Sequence, residues 1–431
     1  MRRHLILLLL LTLPALTNQA ATVRVSKSGP VRNIAEAIKH CQDGDTLVVG
    51  PGHYQEETID INKSITLLAK GEVILDGSRK IEIITVTKGH VTIDGFHIIN
   101  SGNQSIRDIA GIKVLACRNV TIQNNIIDNC NFGIYLSNTV GCKVQNNTMH
   151  GNCLNDKTIG NGIHVWKGDS VTIESNHSTF QRDGIYFEFV TNSLIRNNLS
   201  ENNMRYGLHF MFSHSNTYES NRFTGNGAGV AVMYSHNVTM HRNSFDHNWG
   251  SSAYGILLKD ISDSKITENE FTYNSAGIYM EGSNRIQMEK NLFKANGWAL
   301  RVQASCQDVT IINNNFFGNT FDVSTNGETQ LNHFKNNYWD KYEGYDLNRD
   351  GIGDVPYRPV SLFSVIVEQL PPGLLLIHSF MVFLLDKAEK IMPSLTPTDL
   401  IDENPSVKPL ALQPAILSFK YCPKKIPNNL I

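Results

Sequence analysis

Charge is scarce in this chain. Lys and Arg number 38 and Asp and Glu 40, only 18% of 431 residues, for a formal net charge of −2 and a pI near 6.7. That balance excludes the basic footprint of a nucleic-acid binder, so no nucleic-acid partner is expected. The seven cysteines contain no CxxC spacing. Beyond the N-terminus no apolar run reaches bilayer length: the longest, Leu374 to Leu385, is interrupted by His378 and Ser379. Asn, by contrast, is abundant, which suits a structure of paired backbone and many turns.

The first residues, "MRRHLILLLLLTLPALTNQAA", join a basic start to a short apolar core and small residues at Ala20 and Ala21. They read as a secretory signal peptide over 1–20, of the ordinary kind despite the paired arginines, so the mature chain is exported. In that setting seven cysteines leave at least one unpaired. Most read as buried small side chains, with Cys130 and Cys153, in turns of successive repeats, as the expected bridge.

A Gly followed by aliphatic residues recurs at Gly111, Gly133, Gly162, Gly184, Gly207, Gly229, Gly255 and Gly277, in steps of 22, 29, 22, 23, 22, 26 and 22. Fourteen residues after each stands an Asn, from Asn125 to Asn291, and Asn314 and Asn337 extend the column. A period of about 22 residues with short alternating stretches is one coil of an all-β, right-handed parallel β-helix. Its coils stack about 4.8 Å apart and share one core. Phe223, Phe245, Phe271, Phe293 and Phe316 should form an inward aromatic ladder, and the Asn column a turn ladder in left-handed geometry. The long steps are insertions, "CLNDKTIGN" and "HNWGSSAYG".

A short helix from about Asn33 to Cys41 should cap the first coil. The solenoid is expected over 21–360, and 361–431 as a helical tail broken at Pro371-Pro372. The tail is expected to cover the open end of the solenoid, to dock on a membrane partner, or to do both.

Within each Gly-Ile-x-Val-x stretch the aliphatics point inward and the third and fifth residues outward. Met211 and Met233 then stack in adjacent coils, as do His214 and His236, with His209 beside Met211. Thioether and imidazole together suit copper, as Cu(I), better than zinc, calcium or magnesium. The alternative for the same patch is a protein-docking surface. Met240 and Met288 fall in inward columns and belong to the core. "DLNRDGIGD" places Asp346, Asn348, Asp350 and Asp354 at positions 1, 3, 5 and 9 of an EF-hand-like loop, with Gly351 at 6 but Tyr357 at 12. Structural Ca²⁺ and a plain Asx-turn loop are both open there. Many parallel β-helices act on polysaccharides, but the outward acids Asp183, Glu188, Asp260 and Glu281 do not stack into a paired-carboxylate cleft.

"RYGLHFMFSHS", "GAGVAVMYSHN", "YGILLKDISDS", "NYWDKYEGYDLNRDGIGDVPYRPVSLFS" and the "PSLTP" tail resemble the NosD family, periplasmic maturation proteins of nitrous-oxide reductase. The resemblance covers nearly the whole mature chain and is most specific from "DGIGDVPYRP" to "PSLTP". It implies a non-catalytic copper-handling protein on a membrane ABC complex of a permease dimer and an ATPase. Copper would pass from a lipoprotein chaperone to the reductase, for its copper–sulfide centre. The tail from Ser361 to Leu395 would contact the permease and hold the protein at the inner membrane. The alternatives are a β-helical carbohydrate-active protein and a metal-free adaptor between transporter and client.

Overall fold

A computed structural model describes residues 20–103, 107–154, 158–327, 332–392 and 400–412. The signal segment, "PSLTP" and Cys422 lie outside the described residues. The chain winds into a right-handed parallel β-solenoid of about 13 turns. Three parallel sheets form its walls. Sheet I has 14 strands, from Thr22–Val25 to His333–Lys335; sheet II has 13, from Gly52–Tyr54 to Tyr338–Trp339; sheet III has 12, from Ile59–Ile61 to Phe321–Ser324. Each coil contributes one strand to each sheet, so residues one repeat apart become neighbours.

The inward columns close the core. In sheet III, Ile185 and Phe187, Leu208 and Phe210, Val230 and Val232, and Ile256 and Leu258 are all buried. Met240 and Met288 are buried as expected. The five phenylalanines stack 4.8 to 5.4 Å apart, and Trp339 ends the ladder 4.1 Å from Phe316. The Asn column is an interior ladder: Asn198, for example, accepts on Oδ1 from the Asn176 N–H and Nδ2. The left-handed turn residue is the one before it. Asn124, Asn146, Asn197 and Asn313 have φ of 55–56°, and Ser175, Ser220 and Arg242 take the same role elsewhere. A second Asn ladder, from Asn203 through Asn226, Asn248, Asn274 and Asn296 to Asn319, runs along the next corner.

Helix α1 (Ile34–His40) is capped by Asn33, whose side chain accepts from the Glu36 N–H, and buries Ile34, Ala37 and Ile38 over the first coils. Helix α2 (Leu362–Gln369), a 3₁₀ turn (Pro371–Leu376) and α3 (Phe380–Ile391) form a small separate core in which Phe363, Val367 and Val382 surround Phe321 of the last sheet III strand. The helices pack at that strand, and residues 400–408 close the end. Asp402 supplies the next rung of the Asn ladder, accepting on Oδ2 from Asn337 N–H, Asn337 Nδ2 and Trp339 Nε1.

The expected Cys130–Cys153 bridge is not formed; all six described cysteines are free and buried. Cys130 Sγ lies beneath Gly111 inside the solenoid, where burial pushes its thiol up to about 12, whereas Cys153 sits in the inserted loop. Both insertions leave sheet II and enter sheet III, one before Ile163 and one before Tyr254, so they line the entry edge of sheet III.

Candidate metal centre

The outer face of sheet III carries the columns anticipated from the repeat. Glu188 pairs in register with Met211, Met211 with Met233, and Met233 with Lys259. Both methionines are half-buried and point away from the core, because Phe210 and Val232 beside them point in. The Tyr186 hydroxyl lies 3.2 Å from Glu188 Oε2 and 3.5 Å from Met211 Sδ.

His209 is on the same outer face but roofed, at 4% exposure. The rings of Tyr206 and Tyr186 pack against it at 4.8 and 5.0 Å, and Arg205 Nη2 is 3.4 Å from its Nδ1. Asp183 Oδ2 is 3.6 Å from the same nitrogen, and Nε2 has no hydrogen-bond partner. Asp183, an outward acid in the sequence reading, is fully buried; Arg205 Nε at 3.3 Å compensates its charge. His164, two coils away, is clamped between Tyr135 and Tyr186 at 4.6 and 4.7 Å. Burial, with help from Arg182, lowers its pKa to about 3 and keeps it neutral.

At the exit edge of sheet III the chain turns through one left-handed residue per coil. Ala116, Asn138, Lys167, Asp260 and Gly282 hold that place in five coils; Phe189, Phe212 and Tyr234 hold it in three, at φ of 54°, 48° and 52°. A bulky side chain there is strained, and left-handed geometry otherwise favours Gly, Asn and Asp. The three rings are 45%, 37% and 39% exposed and stack 5.3 and 5.0 Å apart, with interplanar angles of 10° and 14°. This ledge escaped the sequence reading, although its residues stand five after Gly184, Gly207 and Gly229.

Beyond the ledge, His214 and His236 stack with centroids 3.9 Å apart. His214 Nδ1 accepts from the His236 N–H at 3.3 Å, which leaves the ring proton of the neutral imidazole on Nε2. Burial, and secondarily His236, lowers the His214 pKa. The five soft-ligand residues therefore divide: Met211, Met233 and the roofed His209 on sheet III, and His214 and His236 around the corner. Among the described residues no three His, Cys, Asp or Glu side chains converge at metal-holding distance. A metal site on this face would therefore have to rest on the thioethers.

The loop at Asp346–Asp354 folds on its own amides. Asp346 accepts from Asp350 N–H and Gly351 N–H, Asn348 Oδ1 from Asp350 N–H, Asp350 from Ile352 N–H, and Asp354 from Leu347 N–H. Tyr357, at the twelfth position, turns inward instead, its hydroxyl 3.3 Å from Asp322 Oδ2 and its ring 5.2 Å from Trp339.

Residues 153–344 match the family model described as "Periplasmic copper-binding protein (NosD)", and residues 53–178 that of a right-handed β-helix region. The "Probable ABC transporter binding protein NosD" of Pseudomonas aeruginosa is 28% identical over 86% of this chain and 90% of its own length. That of Stutzerimonas stutzeri is 25% identical over 83% and 85%. Among solved structures, PfbA, a surface adhesin of Streptococcus pneumoniae, superposes with a TM-score of 0.54 at 13% identity, covering 72% of this chain and 88% of that one. At that identity the likeness is one of fold. With its coils in register and these relatives aligned over more than four fifths of its length, the chain is a right-handed parallel β-helix protein similar to NosD.

Proposed function

We propose that this protein is a periplasmic accessory factor of an ABC-type membrane complex. It holds copper, as Cu(I), for the copper–sulfide centre of nitrous-oxide reductase, and it is not itself a catalyst. The observation that carries the reading is the in-register pair Met211 and Met233 on an outer sheet face, half-exposed, where Thr, Lys or Glu are the ordinary occupants. The names of the relatives point the same way: a copper-binding family and ABC transporter binding proteins. Residues 1–20 would direct export, and 21–360 would be the metal-handling solenoid. His209, His214 and His236 are the imidazoles nearest the thioether pair along the chain.

The tail, 361–431, would meet the permease dimer, with its ATPase on the far side of the membrane; a lipoprotein chaperone would supply the metal. Leu374, Leu375, Leu376, Phe380, Met381 and Phe383 are exposed along the 3₁₀ turn and α3, an apolar patch of the kind that marks an interaction site. Among the described residues no helix is long and apolar enough to cross a membrane. Asp346, Asn348, Asp350 and Asp354 would supply oxygen ligands if Ca²⁺ binds, in a structural role.

Anaerobic titration of the apo protein with Cu(I) tests the reading. Binding at least as tight as low micromolar, abolished by Met211→Ala with Met233→Ala, is expected; binding indifferent to that double substitution refutes the ligand assignment. Loss of complex formation on removal of residues beyond Ser361, with the coils intact, is expected for the tail. Release of uronic-acid products from pectin or alginate would instead establish a carbohydrate-active protein.

A further inference from the structure

On the outer face of sheet III one hydroxyl donor stands between a carboxylate and a thioether. Glu188, Met211 and Met233 occupy consecutive rungs of a single outward column. The Tyr186 hydroxyl touches Glu188 Oε2 and Met211 Sδ at once, so carboxylate and thioether stand on either side of one small group. A hydroxyl has one proton and satisfies one acceptor at a time. The other acceptor, and the Met233 thioether on the next rung, are left electron-rich in a half-buried place.

The cations nearby are turned elsewhere. Lys259, on the rung beyond Met233, pairs with Glu281 at 4.0 Å, and Arg205 is committed to the buried Asp183 at 3.3 Å. Glu188 itself has no ion pair among the described residues. An acceptor-rich, donor-poor, half-buried site is one that a cation stabilises.

We infer that Glu188 is the third donor of a Met211–Met233–Glu188 site for a soft monovalent cation, and that Tyr186 guards it. The inference rests on the copper reading above and adds the ligand that sets the charge. Two thioethers alone would leave a bound Cu(I) with a full positive charge against a partly desolvated face. The carboxylate makes the complex neutral, which removes the cost of burying net charge. Coordination uses sulfur lone pairs and one carboxylate oxygen. The Tyr186 hydroxyl keeps its proton and rotates away from the thioether, so no proton is released from it. Adjacent rungs lie about 4.8 Å apart, within reach of flexible Met and Glu side chains leaning toward a metal over Met211.

The test is anaerobic competition for Cu(I) against a chromophoric Cu(I) chelator, with the purified full chain at pH 7. The wild type is compared with Glu188→Gln, Glu188→Asp, Tyr186→Phe and the Met211→Ala, Met233→Ala double variant, each checked for intact β-structure by circular dichroism. Glu188→Gln is expected to weaken binding about tenfold, because the neutral amide leaves the charge of the bound cation uncompensated. Glu188→Asp should recover part of the affinity. Tyr186→Phe should tighten binding severalfold, since the thioether no longer has a hydroxyl to displace. Wild-type affinity in Glu188→Gln, with binding lost in the double Met variant, overturns this inference and leaves the copper reading standing. Unchanged binding in the double Met variant overturns both.

Discussion

Asn197 and Asn198 are chemically identical neighbours that the fold uses in opposite ways, and exchanging each in turn isolates the force that holds the coils in register. Asn198 is buried. Its Oδ1 accepts from Asn176 N–H and Asn176 Nδ2, and its Nδ2 donates to Asn221 Oδ1, Ile173 O and Arg196 O, at 2.9 to 3.0 Å. Ala at 198 deletes all of these and leaves the buried Asn176 N–H without its acceptor. An orphaned buried donor costs about 1–3 kcal/mol and each remaining bond about 1 kcal/mol net; two amide hydrogens cannot fill three bonds fully, so the loss is about 4 kcal/mol. Asn197 is exposed at φ 56°. Gly accepts that conformation without strain, so Asn197→Gly is expected to change stability by less than about 1 kcal/mol, whereas Val should cost about 1–2 kcal/mol. Equilibrium urea unfolding followed by far-ultraviolet circular dichroism reads all three, and amide hydrogen exchange at Asn176 reads the local rung. A loss below about 1 kcal/mol for Asn198→Ala, or equal losses for Asn198→Ala and Asn197→Gly, would refute the account of the ladder as a run of satisfied buried amides.

Three further perturbations follow from the same geometry. Asp322 is buried beside Tyr357 and Lys341, and desolvation raises its pKa to about 6. A folded-state pKa above the unfolded one favours the fold in acid, so stability should fall as pH rises from about 4 through 6, by as much as about 3 kcal/mol. Asp322→Asn should therefore stabilise at pH 8 and not at pH 4, in thermal melts across pH. Glu368 of α2 accepts from Arg301 Nη2 at 2.7 Å, and Glu368→Ala strands that half-buried guanidinium at a cost of about 3 kcal/mol. Limited proteolysis should then cut the 361–392 region before the coils. Phe212→Asn gives the strained turn a residue that favours left-handed geometry, and should leave the melting temperature level or higher while removing the middle of the ledge. A melting temperature lowered by several degrees would mean that ring stacking outweighs the strain.

The solenoid was legible in the sequence because in-register coils turn a fixed offset along the chain into adjacency in space. Gly at one place, Asn fourteen on and Phe two beyond that are each a vertical column, and the outward partners of Met211 and His214 could be named by counting. What the period cannot encode is what happens off the columns. The roof over His209 comes partly from its in-register neighbour Tyr186, which the period does encode, and partly from Tyr206 and Arg205, where the coil enters sheet III, which it does not. Asp402 completes the Asn ladder from 65 residues away, where no repeat links it to Asn337. The left-handed residue sits one place before the laddered Asn because the ladder requires a side chain turned inward, and the turn requires the next one out. Asn satisfies either demand, so runs such as Asn124-Asn125 and Asn197-Asn198 hide the distinction, while Ser175, Arg242 and Lys290 at the same place in other coils disclose it. The same comparison picks out the candidate site. Where the other five coils use Ala, Asn, Lys, Asp or Gly at the exit of sheet III, three successive coils place exposed aromatic rings on left-handed backbone, and two of these also carry the methionine and the stacked histidine. Left-handed aromatic residues also stand at other corners, Phe180 and Tyr273 among them, so what sets this face apart is the run of three stacked rings beside the in-register methionines and the stacked histidines.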